Sequence, residues 1–133
     1  MDRIAIELHD SELASIRPEL NDIRFELRPA YIHKSAGIPG TESGQGGWQD
    51  VDIVVRGTTV PISTSDLPAD LDGGSLSVGV EAWNNVIPIP LERNGSTIFE
   101  LEPMNGRQVT IQGHGVSIAA IGEANFCETF RGL

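Results

Sequence analysis

Apolar residues recur at every second position along most of this chain, the period of a strand with one buried face rather than of a helix. Arg3 to Leu8 opens the series, with Ile4, Ile6 and Leu8 on one face and Arg3, Ala5 and Glu7 on the other. The polar run HDSEL interrupts it. Ser11 to Asn21 reads either as a short helix, capped by Ser11 and ended by Pro18, or as a second strand, and we favour the strand. From Asp22 the alternation is clear, with Ile23, Phe25 and Leu27 inward and Arg24, Glu26 and Arg28 outward. Pro29 has no N–H to give to a ladder and predicts a bend or an edge before Tyr31, Ile32 and His33 continue the extended run. Residues 35–47 contain five glycines and a proline and read as a long loop. Trp48 to Arg56 resumes the pattern, with Val51, Ile53 and Val55 on one face and Asp50 and Asp52 on the other. A short strand over Thr59 to Ile62, an acidic loop over 63–74 and another short strand over Ser75 to Val80 follow.

The last third carries the strongest turn signals. Asn94-Gly95, Asn105-Gly106 and Gly113-His114-Gly115 are residues that tolerate the positive φ of tight hairpins. They separate strands at Val86 to Glu92, Thr97 to Glu102, Gln108 to Gln112, Val116 to Ile121 and Asn125 to Thr129, which predicts a β-meander with His114 in a turn. Pro88 and Pro90 share a face of the first of these strands and place it at an edge or a break in pairing. The expected fold is all-β, a single domain over 1–133: a two-sheet antiparallel sandwich or flattened barrel of about eight to ten strands, closed by a C-terminal meander.

With 133 residues, one core can form without disulfides or a structural metal. The lone Cys127 has no partner and is expected to pack as a small hydrophobe, which fits a reducing compartment. The formal net charge of −10 is uneven: residues 1–34 hold seven acids against five bases, and 35–133 hold twelve against four. No cluster of Lys and Arg is available to neutralise phosphates, so nucleic acid and anionic membrane surfaces are disfavoured as partners. The opening MDRIAIELHD has no long apolar run and implies a cytoplasmic setting. Lys34 is the only lysine beside eight arginines.

Chemical motifs are sparse. A metal site would need His9, His33 and His114, with Asp10 or Glu12, to converge from separate strands, and none of the spacings HxH, HExxH or CxxC is present. The ordered glycine and histidine signature of cupins is missing too. In HDSEL, Asp10 or Ser11 can close an Asx or Ser turn at the end of the first strand. The letters of a catalytic triad are there as well, but adjacent residues of an extended chain face opposite ways. Asp66, Asp70 and Asp72 resemble a calcium loop only in composition, because their spacing is not that of an EF-hand, and a solvated turn is the simpler reading. The glycines of 35–47 lack the Lys-Ser or Lys-Thr of a phosphate loop. No cofactor is expected. Trp48 and Trp83 are either lids on the core or anchors for a ligand.

The order of LHDSEL, AYIH, a glycine-rich loop, WQDV, DLPADLDGGSLSVG, NNVIPIPL and GHGV resembles small bacterial proteins of uncharacterised function over nearly the whole chain. LHDSEL is also similar to the opening of some β-rich immunity-like proteins. The resemblance implies a compact all-β domain in a bacterial cytoplasm and transfers no catalytic residue. The reading ranked first is a non-enzymatic, acidic protein-binding module, immunity-like in character, for a basic protein. Its candidate contacts are His9, Asp10, Trp48, Asp50, Asp52, Asp66, Asp70 and Asp72. The alternatives are a carbohydrate or small-molecule module using Trp48, or Trp83 with Asn84 and Asn85, and a metal-dependent enzyme built on the three histidines. Unprotected sheet edges leave a homodimer open.

Overall fold

The computed structural model describes residues 3–35, 44–58, 67–104, 106 and 108–130. Among these residues there are nine antiparallel strands and no helix: β1 (Arg3–Glu7), β2 (Glu12–Glu19), β3 (Asp22–Ser35), β4 (Gly44–Arg56), β5 (Ala69–Val78), β6 (Glu81–Asn84), β7 (Val86–Ile89), β8 (Leu91–Pro103) and β9 (Val109–Phe130). They form one sheet in the order β2-β5-β8-β9-β4-β3-β1-β7, with β6 on the edge of β5. Because β2 pairs with β3 as well as β5, six strands return upon themselves as a flattened barrel. Only two residue pairs, Glu12 with Asp70 and Leu13 with Ala69, join β2 to β5, so the ring is partial.

The alternating faces fill this barrel as the pattern requires. Ile23, Phe25 and Leu27 of β3, Val51, Ile53 and Val55 of β4, and Phe99 and Leu101 of β8 are all buried in one core. Phe25 and Phe99 meet edge to face at 5.0 Å between strands that are not neighbours in the ring. β3 is long enough to serve twice: residues up to Leu27 pair with β2, and Tyr31 to Ser35 pair with β1. Pro29 sits at the register shift between these halves, where the ladder with β4 also skips, so the bend falls as predicted. Ser11 to Asn21 resolves as β2, with Pro18 in a stretch that pairs only with β3. Val86 to Ile89 takes the outermost place, with Pro88 and Pro90 exposed, so this edge is blunted.

Several expectations are corrected. β4 begins at Gly44 and β3 runs to Ser35, so the ends of the 35–47 segment are strand, while 36–43 lie outside the described residues. The acidic 63–74 segment enters β5 at Ala69, and EAWN forms β6. The proposed strand at 59–62 lies outside the described residues. In the last third, β8 and β9 do form a hairpin, with Gly106 donating its N–H to the Pro103 carbonyl, while Asn105 lies outside the described residues. The other two turn signals mark no hairpin: β8 runs through Asn94-Gly95 and β9 runs through Gly113-His114-Gly115. The two motifs face each other, Asn94 opposite Gly115 and Thr97 opposite Gly113, as a β-bulge in which Gly95 takes φ +128°. β7 separates from the meander and pairs with β1.

Gly113 is needed for space rather than for a turn. A Cβ there would stand 2.5 Å from the Arg56 carbonyl oxygen and 2.6 Å from a Val55 methyl. Cys127 is exposed, not packed in the core, because it falls on the outward face of the late half of β9.

Urea unfolding should place Phe25→Ala and Phe99→Ala each about 3–5 kcal/mol below the parent, with the double variant costing less than the sum of the two. Gly113→Ala should cost about 1–3 kcal/mol by overpacking. Full additivity of the phenylalanine pair would contradict their contact across the barrel.

Candidate functional site

HDSEL folds into a tight knot at the end of β1. The buried Ser11 hydroxyl donates to the Glu7 carbonyl at 2.7 Å and accepts the Tyr31 N–H at 2.9 Å, so it ties the turn to β3. Asp10 adopts φ +75°, a region that Asp and Asn enter more readily than other side chains. Asn85, also at positive φ, accepts the His9 N–H on its side-chain oxygen at 2.8 Å and the Leu8 N–H on its carbonyl at 2.8 Å. A turn does end β1 here, but Ser11 holds it by bonding back to Glu7 and across to Tyr31 instead of to an N–H two residues on, and the side chains of His9 and Asp10 are left facing solvent.

Across from this turn, Leu71 donates its N–H to the Ser11 carbonyl at 2.9 Å, and Met104 donates to the Asp70 carbonyl at 2.8 Å. These bonds bring the starts of β2 and β5 and the end of β8 together. Asp10, Tyr31, Trp48, Asp70 and Met104 line the resulting open groove of about 380 Å³. Tyr31 and Trp48, cross-strand partners on β3 and β4, pack edge to face at 4.9 Å, and His33 meets the other side of Tyr31 at 5.0 Å. Trp48 is half-buried and separates this groove from a smaller one of about 210 Å³ that includes Asp50, Ile121 and Glu123.

The predicted residues thus divide. Asp10, Trp48 and Asp70 share one groove with His9 at its rim, while Asp50 faces the neighbouring groove. Asp72, expected in a loop, is the extra residue of a bulge in β5 and is exposed. Asp66 lies outside the described residues. Asp52 was expected to be a free outward acid; it is only 8% exposed and bonds to Arg24 at 2.7 Å and Arg28 at 2.6 Å. It belongs to a chain of charges on β2, β3 and β4 that runs Arg17, Glu26, Arg28, Asp52, Arg24 and Glu19. The planar guanidinium spans acceptors on neighbouring strands, Arg28 reaching two carboxylates and two carbonyls, and this accounts for arginine in place of lysine there.

The histidines do not form one site. His33 Nε2 bonds to one oxygen of Glu7, and His9 Nδ1 lies 4.0 Å from the other. His114 is mid-strand on β9 and exposed, with its ring against Gly57, so its expected turn position is corrected. A groove of about 550 Å³ beside it is lined by Thr58, Thr97, Ile98 and Gln112 among others, with no carboxylate among the described lining residues. Trp83 packs against the core under the Arg93 guanidinium at 5.9 Å, and the side-chain oxygen of Asn85 is taken by His9, which occupies the second indole site considered from sequence. Glu7 and Tyr31 complete the site but were not singled out, since each reads as an ordinary residue of an alternating strand.

The chain matches no known protein-family model, no curated protein and no solved structure. Among the described residues no helix is long and apolar enough to cross a membrane.

Glu26 tests the charge chain. The Ser15 hydroxyl, followed by Arg17 and Arg28, holds its carboxyl below the usual glutamate range, against the opposing effect of burial. A carboxyl lowered on folding stabilises the fold above its unfolded pKa and loses that contribution as pH falls through the folded value. Urea unfolding should show Glu26→Gln less stable than the parent at about pH 7 and the difference shrinking toward about pH 3. A gap that does not change with pH would contradict the assignment.

Proposed function

We propose that the protein is a non-enzymatic binding module whose groove at Asp10, Trp48 and Asp70 receives a cationic side chain from a basic protein partner. The observation that carries this reading is the unequal use of the acids. Glu26 and Asp52 are neutralised by arginines within the fold. Asp10 and Asp70 are exposed and, among the described ion pairs, meet no arginine or lysine, yet they flank an aromatic wall made by Tyr31 and Trp48.

A guanidinium or ammonium group entering this groove gains two carboxylates and the edge or face of an indole, contacts that reinforce one another once water is displaced. The surplus of twelve acids over four bases beyond residue 34 adds a long-range attraction that speeds encounter with such a partner and weakens as salt rises. Small-molecule binding through Trp83 is less well supported, because Arg93 covers that ring.

With Trp83→Phe leaving Trp48 as the reporter, an oligo-arginine peptide should change the tryptophan emission in a saturable way, and an oligo-glutamate peptide should not. Raising salt from about 50 to 200 mM should weaken the response. Asp10→Asn with Asp70→Asn should reduce affinity by about tenfold or more. An unresponsive Trp48, or a response untouched by the double substitution, would remove this reading.

A further inference from the structure

We propose that Glu7, His9 and Asp10 form a binding site for a borderline divalent transition ion of the Zn2+ class, on the rim of the groove. One ligand atom from each residue lies within 4.8 Å of the other two. His9 Nδ1 is 3.2 Å from Asp10 Oδ2 and 4.0 Å from Glu7 Oε1. Donors bound tetrahedrally at about 2.0–2.2 Å stand roughly 3.3–3.6 Å apart, so the first distance must open by about 0.1 Å and the second must close by about half an ångström. His9 and Asp10 are about half exposed and free to make that adjustment.

The charge balance selects a cation. Glu7 and Asp10 both place a carboxylate oxygen near His9, and among the described ion pairs neither carboxylate is met by arginine or lysine. Glu19, Glu26 and Asp52 on β2, β3 and β4 are treated differently, each being paired with at least one arginine. The imidazole narrows the class of cation. An ammonium or guanidinium group is already served by the two carboxylate acceptors, and calcium and magnesium prefer oxygen. Zinc and its neighbours in the transition series accept nitrogen and oxygen together.

His33 gives the site an outer layer. Its Nε2 bonds to the Glu7 oxygen that does not face His9, which fixes the carboxylate and leaves the other oxygen for an ion. The ring of His33 is itself held against Tyr31. This differs from the three-histidine site considered from sequence: His9 is a ligand, His33 positions a ligand, and His114 is elsewhere. Three protein donors leave a tetrahedral ion one position for water or an incoming group.

Competition between the full chain and a chromophoric chelator for added Zn2+ tests the assignment, and it is separate from peptide binding in the groove. One equivalent of Zn2+ should bind per chain. His9→Ala, on a half-exposed side chain, should weaken binding by at least about tenfold, and Glu7→Gln should do the same. His114→Ala and Asp72→Asn should leave Zn2+ affinity unchanged, with far-UV circular dichroism confirming that each variant is folded. Binding indifferent to both His9→Ala and Glu7→Gln, binding lost with His114→Ala, or no stoichiometric uptake would each overturn the site. Loss of peptide binding with Zn2+ uptake intact would count against the proposed function alone.

Discussion

The edge-to-face contact of Phe25 and Phe99 is the constraint on which the rest of the molecule turns. It spans the barrel between β3 and β8, and it requires the inward faces of both strands to keep their phase over their whole lengths. A single slip of register in either strand would turn its apolar set outward. The bulge at Asn94 to Thr97 is the device that keeps phase. Two residues on β8, Gly95 and Ser96, are set against one on β9, His114, and Thr97 and Phe99 remain inward beyond it. Because that inward phase is held, β8 reaches Met104 in position to bond the Asp70 carbonyl. The groove is thus built on the closure of the barrel and not on loops alone.

That dependence explains what was legible in the sequence. The faces of β1, β3 and β4 are written in local alternation, and the core residues Ile23, Phe25, Leu27, Val51, Ile53 and Val55 could be read directly. The turn at Ser11 was legible in position but not in its bonds, because the hydroxyl reaches back to Glu7 and across to Tyr31 of β3, and the second partner depends on the pairing of distant strands. The errors occurred where one local chemistry serves two long-range outcomes. Asn-Gly and Gly-His-Gly suit a hairpin and a bulge alike, and only the pairing of Asn94 with Gly115 decides between them.

The site was half legible for the same reason. Asp10, Trp48 and Asp70 were each picked out, but nothing local indicates that they share a wall, since the two residue pairs between β2 and β5 bring them together. Asp52 shows the opposite case. Its outward direction was read correctly, yet its neutralisation by Arg24 and Arg28 depends on the register of β3 against β4. An acidic composition therefore overstates the charge that a partner meets. The surface separates into acids held by arginine and acids left open, and two of the latter, Asp10 and Asp70, flank aromatic rings at one groove.

The most direct test of this division is a two-dimensional amide NMR titration of the full chain with a cationic peptide. The account predicts saturable shifts concentrated at Asp10, Tyr31, Trp48, Asp70 and Met104, with the amides around Glu26 and Asp52 unmoved. Shifts spread evenly over the acidic residues, including Asp50 and Asp72, or centred on the Arg24, Arg28 and Asp52 surface, would contradict it.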